Sequence, residues 1–267
     1  MAKVVISLAQ MNIKLGNVKM NATQMERWTA EAARRGSHMV VFPELWSTGY
    51  DLENAKNHAD QLNQGLFGQL STVATQNNIS IVGSNLEKRG IEIANSASFI
   101  APNGRMMGVY RKIHLFRLMD EHNHLQGGSS PLTMDLPWGK TSLAICYDLR
   151  FPELFRRYAV DGAVMIIVPS EWPMARLAHW RALLIARAIE NQCYIVACNA
   201  AGAIGDTEFA GHSMIVDPWG DIVIEGGDNP FLFTAEIELD RVAEVRKQIP
   251  VLEDRRPETY ESLQLGF

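Results

Sequence analysis

Cysteine is scarce in this 267-residue chain, with three residues, Cys146, Cys193 and Cys198. An odd, sparse set argues against a disulfide framework and points to a reducing, cytoplasmic setting. Positive charge is not in excess: 25 Lys and Arg face 30 Asp and Glu, a net charge of −5. No basic face is implied, so nucleic acid is not an expected partner. Long apolar runs are missing too. A stretch such as AVMIIVP, at 163–169, falls far short of the roughly 18 residues of a membrane span. The opening MAKVVISLAQM has no long apolar core and no small-residue cleavage site. It reads as a first strand rather than a signal peptide. No G-x-G-x-x-G follows that strand and no G-x-x-x-x-G-K-[ST] occurs, which leaves nucleotide binding without a motif. No Ser/Gly-rich linker or charge block divides the chain. A single domain over 1–267 is expected, long enough to bury a large core without disulfide or metal staples.

What is present is alternation. Strand-like stretches are VVISLAQM (4–11), MVVFPE (39–44), ISIVGSNL (79–86), TSLAICYD (141–148), AVMIIVPS (163–170), CYIVACNA (193–200) and FLFTAEIEL (231–239). Between them, 19–35, 65–77, 151–160, 174–191 and 240–248 read as helices. Met25, Trp28 and Ala32 share one helical stripe, and Leu177, Trp180, Leu184 and Ala188 another. Turns at Pro102-Asn103-Gly104 and Asp217-Pro218-Trp219-Gly220 suggest hairpins. The polar, His-rich 113–130 reads as a long loop. Alternating β/α units mixed with hairpins predict a layered α/β sandwich, not a pure Rossmann or barrel order.

Three chemically capable residues sit where strands are expected to stop: Glu44 after VVFP, Lys112 after GRMMGVYR, Cys146 after TSLAI. Strand ends are where α/β proteins gather functional groups. Singly, each has an ordinary explanation: a packed cysteine, a capping glutamate, a solvated lysine. Together they make coherent chemistry. A carboxylate can take a thiol proton, and an ammonium can hold the oxyanion formed when the sulfur attacks a carbonyl. The Tyr147 backbone N–H can supply a second oxyanion donor, and a helix opening at Pro152 adds a modest positive end.

The segments FPELWSTGYD (42–51), YRKIHLF (110–116) and ICYDLRFPEL (145–154) resemble the three signature segments of the nitrilase superfamily, the carbon–nitrogen hydrolases. ARAIENQ (186–192), FAGHSMIVDPWG (209–220) and RKQIP (246–250) extend the resemblance over most of the chain. It implies a four-layer α-β-β-α sandwich that pairs into a homodimer, with the tail from about 250 to 267 at the interface. It implies Glu44 as general base, Lys112 as oxyanion holder and Cys146 as nucleophile. A supporting carboxylate beside the lysine falls on Glu121, with Asp120 as competitor. The implied reaction is amide hydrolysis through a thioester, without metal or organic cofactor.

Rival readings are weaker. His114, His122, His124, His179 and His212 are alternative bases, but the flanks of Cys146 match no papain or caspase signature. His114 and His212 read instead as loop-orienting residues. Asp120, Glu121, His122 and His124 have metal-ligand types, yet read rather as a polar, solvated loop, and no metal is expected. Cys193 and Cys198 read as core, and Arg150 with Glu153 as a local salt bridge. In SEWPMARLAHW (170–180), Trp172 is a candidate pocket wall and Arg176 a candidate partner for a substrate carboxylate. The pattern looks nearest to the omega-amidase group, which deamidates short 2-oxo dicarboxylic acid monoamides. An N-carbamoyl amino-acid amidohydrolase or a nitrilase would use the same trio.

Overall fold

The computed structural model describes residues 3–260. Two six-stranded sheets make its centre. Sheet one holds β1 (Lys3–Gln10), β2 (Met39–Val41), β3 (Ser80–Arg89), β4 (Glu92–Ile100) and β5 (Met106–Arg111). Sheet two holds β6 (Thr133–Leu136), β7 (Gly139–Leu143), β8 (Met165–Ser170) and β9 (Tyr194–Asn199). A separate hairpin, β10 (Ala201–Ile204) with β11 (Thr207–Ala210), follows. The chain returns to sheet two as β12 (Met214–Val216) and β13 (Ile222–Glu225), then to the edge of sheet one as β14 (Phe231–Glu238). The orders are β14-β1-β2-β3-β4-β5 and β13-β12-β9-β8-β7-β6. Each sheet has parallel strands at its centre, β1-β2-β3 and β7-β8-β9, and antiparallel pairs outside them.

Strands β2, β8 and β9 are buried at every position, so their sequences run mostly apolar rather than alternating. Ile6, Leu8, Val41 and Val82 of sheet one pack with Leu143, Ile167 and Val196 of sheet two. Helices α1 (Val18–Arg34) and α2 (Gly65–Asn77) cover the other side of sheet one through Ala22, Met25, Leu70 and Val73. Asn17 caps α1, its side chain accepting the Met20 N–H at 3.1 Å. Helices α3 (Pro152–Val160) and α4 (Leu177–Asn191) cover sheet two with Phe155, Tyr158, Trp180 and Leu184. The layers run α-β-β-α. No helix among the described residues is long and apolar enough to cross a membrane.

Several expectations need correction. The strand expected over 141–148 stops at Leu143, and Cys146–Arg150 is a 3-10 turn. The cause is Asp148, whose carboxyl accepts the Ile145 N–H at 2.9 Å, so that donor is taken from any neighbouring strand. The strand over 39–44 is ordered only to Val41. The loop at 113–130 contains a 3-10 turn at Arg117–Met119 and a short helix at Glu121–His124. Strand β6 and the β10–β11 hairpin had no clear signal. The expected tail at 250–267 continues to a short helix at Pro257–Tyr260, and its end lies outside the described residues.

Candidate active site

Four buried side chains reach one point between the sheets. Glu44 lies three residues beyond β2. Its loop is held by Phe42 N–H to Val82 O (2.7 Å) and Leu45 N–H to Ser84 Oγ (2.9 Å). Gly83 makes room for this loop: a Cβ there would stand 2.9 Å from Phe42 Cβ and 2.8 Å from Trp46 Cδ1. Lys112 directly follows β5, and its Nζ donates to Glu44 Oε1 (2.7 Å), Glu121 Oε2 (2.6 Å) and Tyr50 Oη (3.3 Å). All three ammonium donors are thus used. Asn95 on β4 donates its Nδ2 to both Glu44 Oε1 (2.8 Å) and Glu121 Oε1 (3.1 Å). Glu121 Oε2 also accepts the Phe116 N–H at 2.6 Å. The remaining oxygen of Glu44, Oε2, accepts the Glu171 backbone N–H at 3.0 Å.

The side chains of Glu44, Lys112 and Glu121 are 0% exposed, so their charges are poorly screened. Burial would lower the Lys112 ammonium, but Glu121 and Glu44 outweigh it and hold it above its ordinary value. Burial pushes Glu121 up, with Lys112 pulling the other way.

Cys146 opens its turn with φ +42°, a left-handed conformation that costs a non-glycine residue about 1 kcal/mol or more. The surroundings enforce it. Asp148 Oδ2 accepts the Ile145 N–H and the Tyr110 hydroxyl (2.8 Å), while Oδ1 accepts the His114 N–H (3.0 Å) and meets His114 Nδ1 (2.7 Å). Arg187 donates twice to Leu149 O, at 3.1 and 2.8 Å. The thiol is pushed well above its ordinary value, first by burial and then by the charge of Glu44; Lys112 opposes. It therefore rests as a thiol, with the Glu44 side chain near it.

A pocket leads to this sulfur, lined by Phe116, Cys146, Tyr147, Arg150, Trp172 and Arg176 together with Pro173. Trp172 is buried and its Nε1 donates to Arg176 O at 2.9 Å. The Arg176 guanidinium lies 5.6 Å from the Phe116 ring centroid. The expected Arg150–Glu153 pair does not form. The Arg150 guanidinium stands 4.8 Å from the Trp172 ring centroid instead, where a cation is attracted by the indole face.

Glu121 rather than Asp120 meets Lys112; Asp120 is exposed and accepts from Asn123 Nδ2 at 2.7 Å. His122 and His124 are exposed, whereas Glu121 is buried. No group of three potential metal ligands occurs among the described residues. His114 is tied to Asp148 and stacks on Phe151 with centroids 3.6 Å apart, and His212 pairs with Glu225 at 2.7 Å. Cys193 and Cys198 are buried in or beside β9, and burial pushes Cys193 up to about 12. Sequence reading missed Asn95, Tyr50 and Glu171. Glu171 carried the same signal as Glu44, a carboxyl at a strand end, while a single Asn inside a strand carries none.

Residues 5–247 match the profile of the carbon-nitrogen hydrolase family. The chain is 42% identical over 256 residues to the 2-oxoglutaramate amidase of Bacillus subtilis, covering 96% of this chain and 98% of that protein. It is 32% identical over 264 residues to omega-amidase NIT2 of Mus musculus, covering 95% and 96%. Among solved structures it superposes on a CN-hydrolase superfamily protein from Xanthomonas campestris with TM-score 0.90 at 27% identity, covering 96% and 98%. An amidase from Nesterenkonia sp. AN1, whose active-site cysteine carries the acetamide moiety of fluoroacetamide, gives TM-score 0.87 at 26% identity, covering 97% and 96%.

Proposed function

Because the chain belongs to the carbon–nitrogen hydrolase family, we propose that it hydrolyses the terminal amide of a small carboxylated substrate, as an omega-amidase does, with Cys146 as nucleophile. The observation that carries the reading is the meeting of Glu44, Lys112, Glu121 and the Cys146 thiol in one buried cluster at the foot of a pocket. Cys146 Sγ attacks the amide carbon while Glu44 takes the thiol proton. This concerted route suits a thiol that rests protonated. Lys112 Nζ, giving up its long 3.3 Å contact with Tyr50 Oη, and the Tyr147 N–H hold the oxyanion. The C–N bond breaks, Glu44 returns its proton to the nitrogen, and ammonia leaves a thioester on Cys146. Water then attacks the thioester with Glu44 again as base, the C–S bond breaks, and the sulfur regains its proton. Glu121 and Asn95 keep Lys112 and Glu44 in register. Trp172 walls the substrate, and Arg176 pairs with its distal carboxylate. On the same reading the protein is a cytoplasmic homodimer with the tail from about 250 to 267 at its interface.

Ammonia release from 2-oxoglutaramate and succinamate, beside N-carbamoyl amino acids and nitriles, tests the substrate. Fastest turnover of the omega-amides, abolished in Cys146→Ala, supports the reading. Turnover confined to carbamoyl compounds or nitriles overturns it.

A further inference from the structure

Glu171 takes no part in the reaction described above, yet it is 0% exposed, as buried as Glu44. It directly follows β8 and precedes the pocket wall Trp172. Its backbone N–H is already bound to Glu44 Oε2. Both oxygens of its carboxyl lack a hydrogen-bond partner among the described residues. Leaving such a group unpaired in the interior is costly, and an apolar side chain there would avoid the cost. An unsatisfied buried group at an active site calls for a ligand that completes it.

The residue lies against Glu44 through its backbone, and its carboxyl is near enough to Glu44, Lys112 and Glu121 to feel their charges. Burial pushes it well above its ordinary value, and the charge of Glu44 pushes further, with Lys112 and Glu121 also felt. Tyr50, the third acceptor of Lys112, feels Glu171 in turn. In either protonation state a carboxyl keeps an oxygen able to accept an N–H.

In the proposed reaction the amide oxygen points to Lys112 and Tyr147, so the amide nitrogen points to Glu44. An unsubstituted amide nitrogen carries two hydrogens. Glu44 can accept one, and the other needs an acceptor on the same side. We propose that Glu171 is a substrate-orienting and specificity residue whose carboxyl oxygen accepts this second N–H, selecting an unsubstituted –CONH2 over esters, N-alkyl amides and nitriles. This inference rests on the amidase reading of the site. A site built to bond an N–H rejects analogues that lack it, because its polar group is then left unpaired.

The test compares kcat/KM for succinamate and for monomethyl succinate in the wild type, Glu171→Ala and Glu171→Gln. Glu171→Ala should lower the amide rate by about 10- to 100-fold and the ester rate by less than about threefold. Glu171→Gln keeps a carbonyl acceptor and should recover most of the amide preference. Melting temperature guards against misfolding: Glu171→Ala, freed of the orphaned carboxyl, should melt no lower than the wild type by more than a few degrees. Parallel losses on amide and ester, or no recovery with Gln, overturn the assignment. If the wild type prefers another acid portion, the omega-amide reading falls, and the same ratio is measured on that primary amide and its methyl ester.

Discussion

The two sheets are built alike and equipped differently. Each has parallel strands at its centre, and each supplies one residue three positions past a strand and one directly past a strand. Sheet one delivers Glu44 and Lys112; sheet two delivers Cys146 and Glu171. The groups of sheet one arrive paired. Lys112 satisfies Glu44 and Glu121 at 2.7 and 2.6 Å, and Asn95 ties both carboxylates again. The groups of sheet two arrive unsatisfied: a thiol held at φ +42° and a carboxyl with no hydrogen-bond partner among the described residues. One sheet thus carries a closed charge network that sets proton position, and the other carries the groups left open for a substrate. Such a division lets the reacting face be strained and under-bonded while the rest of the interior stays satisfied.

The contrast breaks most sharply at Lys112. Lys112→Met leaves two carboxylates buried without their cation. Loss of about 3–5 kcal/mol of stability is expected on that ground, measured by urea denaturation, together with a fall in kcat of at least about 100-fold. Asp148→Ala is the matching change in sheet two. It frees the Ile145 and His114 N–H groups, and should cost about 2–4 kcal/mol and let Cys146 leave its left-handed conformation. Stopped assays should then show kcat falling more than KM rises. Arg176→Met sharpens the contrast between cluster and mouth. It should raise KM for succinamate about tenfold with kcat nearly kept, and leave a neutral amide such as propionamide unaffected.

The smallest effect is a slope. Glu171 holds a proton in the fold that the unfolded chain releases above its ordinary value of 4.5. Its folded pKa is raised, so its contribution to stability is fully present below about that pH and declines as pH rises toward the folded value. The decline reaches at most about 1.4 kcal/mol per pH unit for one proton. Glu171→Gln has no proton to hold, so denaturation midpoints at pH 5.5 and 7.5 should differ less in that variant than in the wild type.

Much of this arrangement was legible in the sequence. Apolar runs located the central strands, and stripes such as Met25, Trp28 and Ala32 located the helices. Charged residues at strand ends, read with the family's signature segments, pointed to Glu44, Lys112 and Cys146, and Glu121 followed from the resemblance. What escaped was whatever depends on a partner far along the chain. The strand reading of 141–148 failed because a side chain, Asp148, captured a backbone donor. The Arg150–Glu153 pair failed because the Trp172 ring, brought from another strand end, competes for the guanidinium. Asn95 reaches Glu44 across 51 residues and Glu171 reaches it across 127. No periodicity or local motif encodes contacts of that kind.

The central claim concerns the sulfur, and rapid acid quench of the enzyme turning over succinamate, followed by peptide mass spectrometry, tests it most directly. A succinyl thioester on the peptide containing Cys146, formed as fast as ammonia appears and absent from Cys146→Ala, is the expected result. Ammonia release at the wild-type rate by Cys146→Ala, with no acyl group on any peptide, would contradict it.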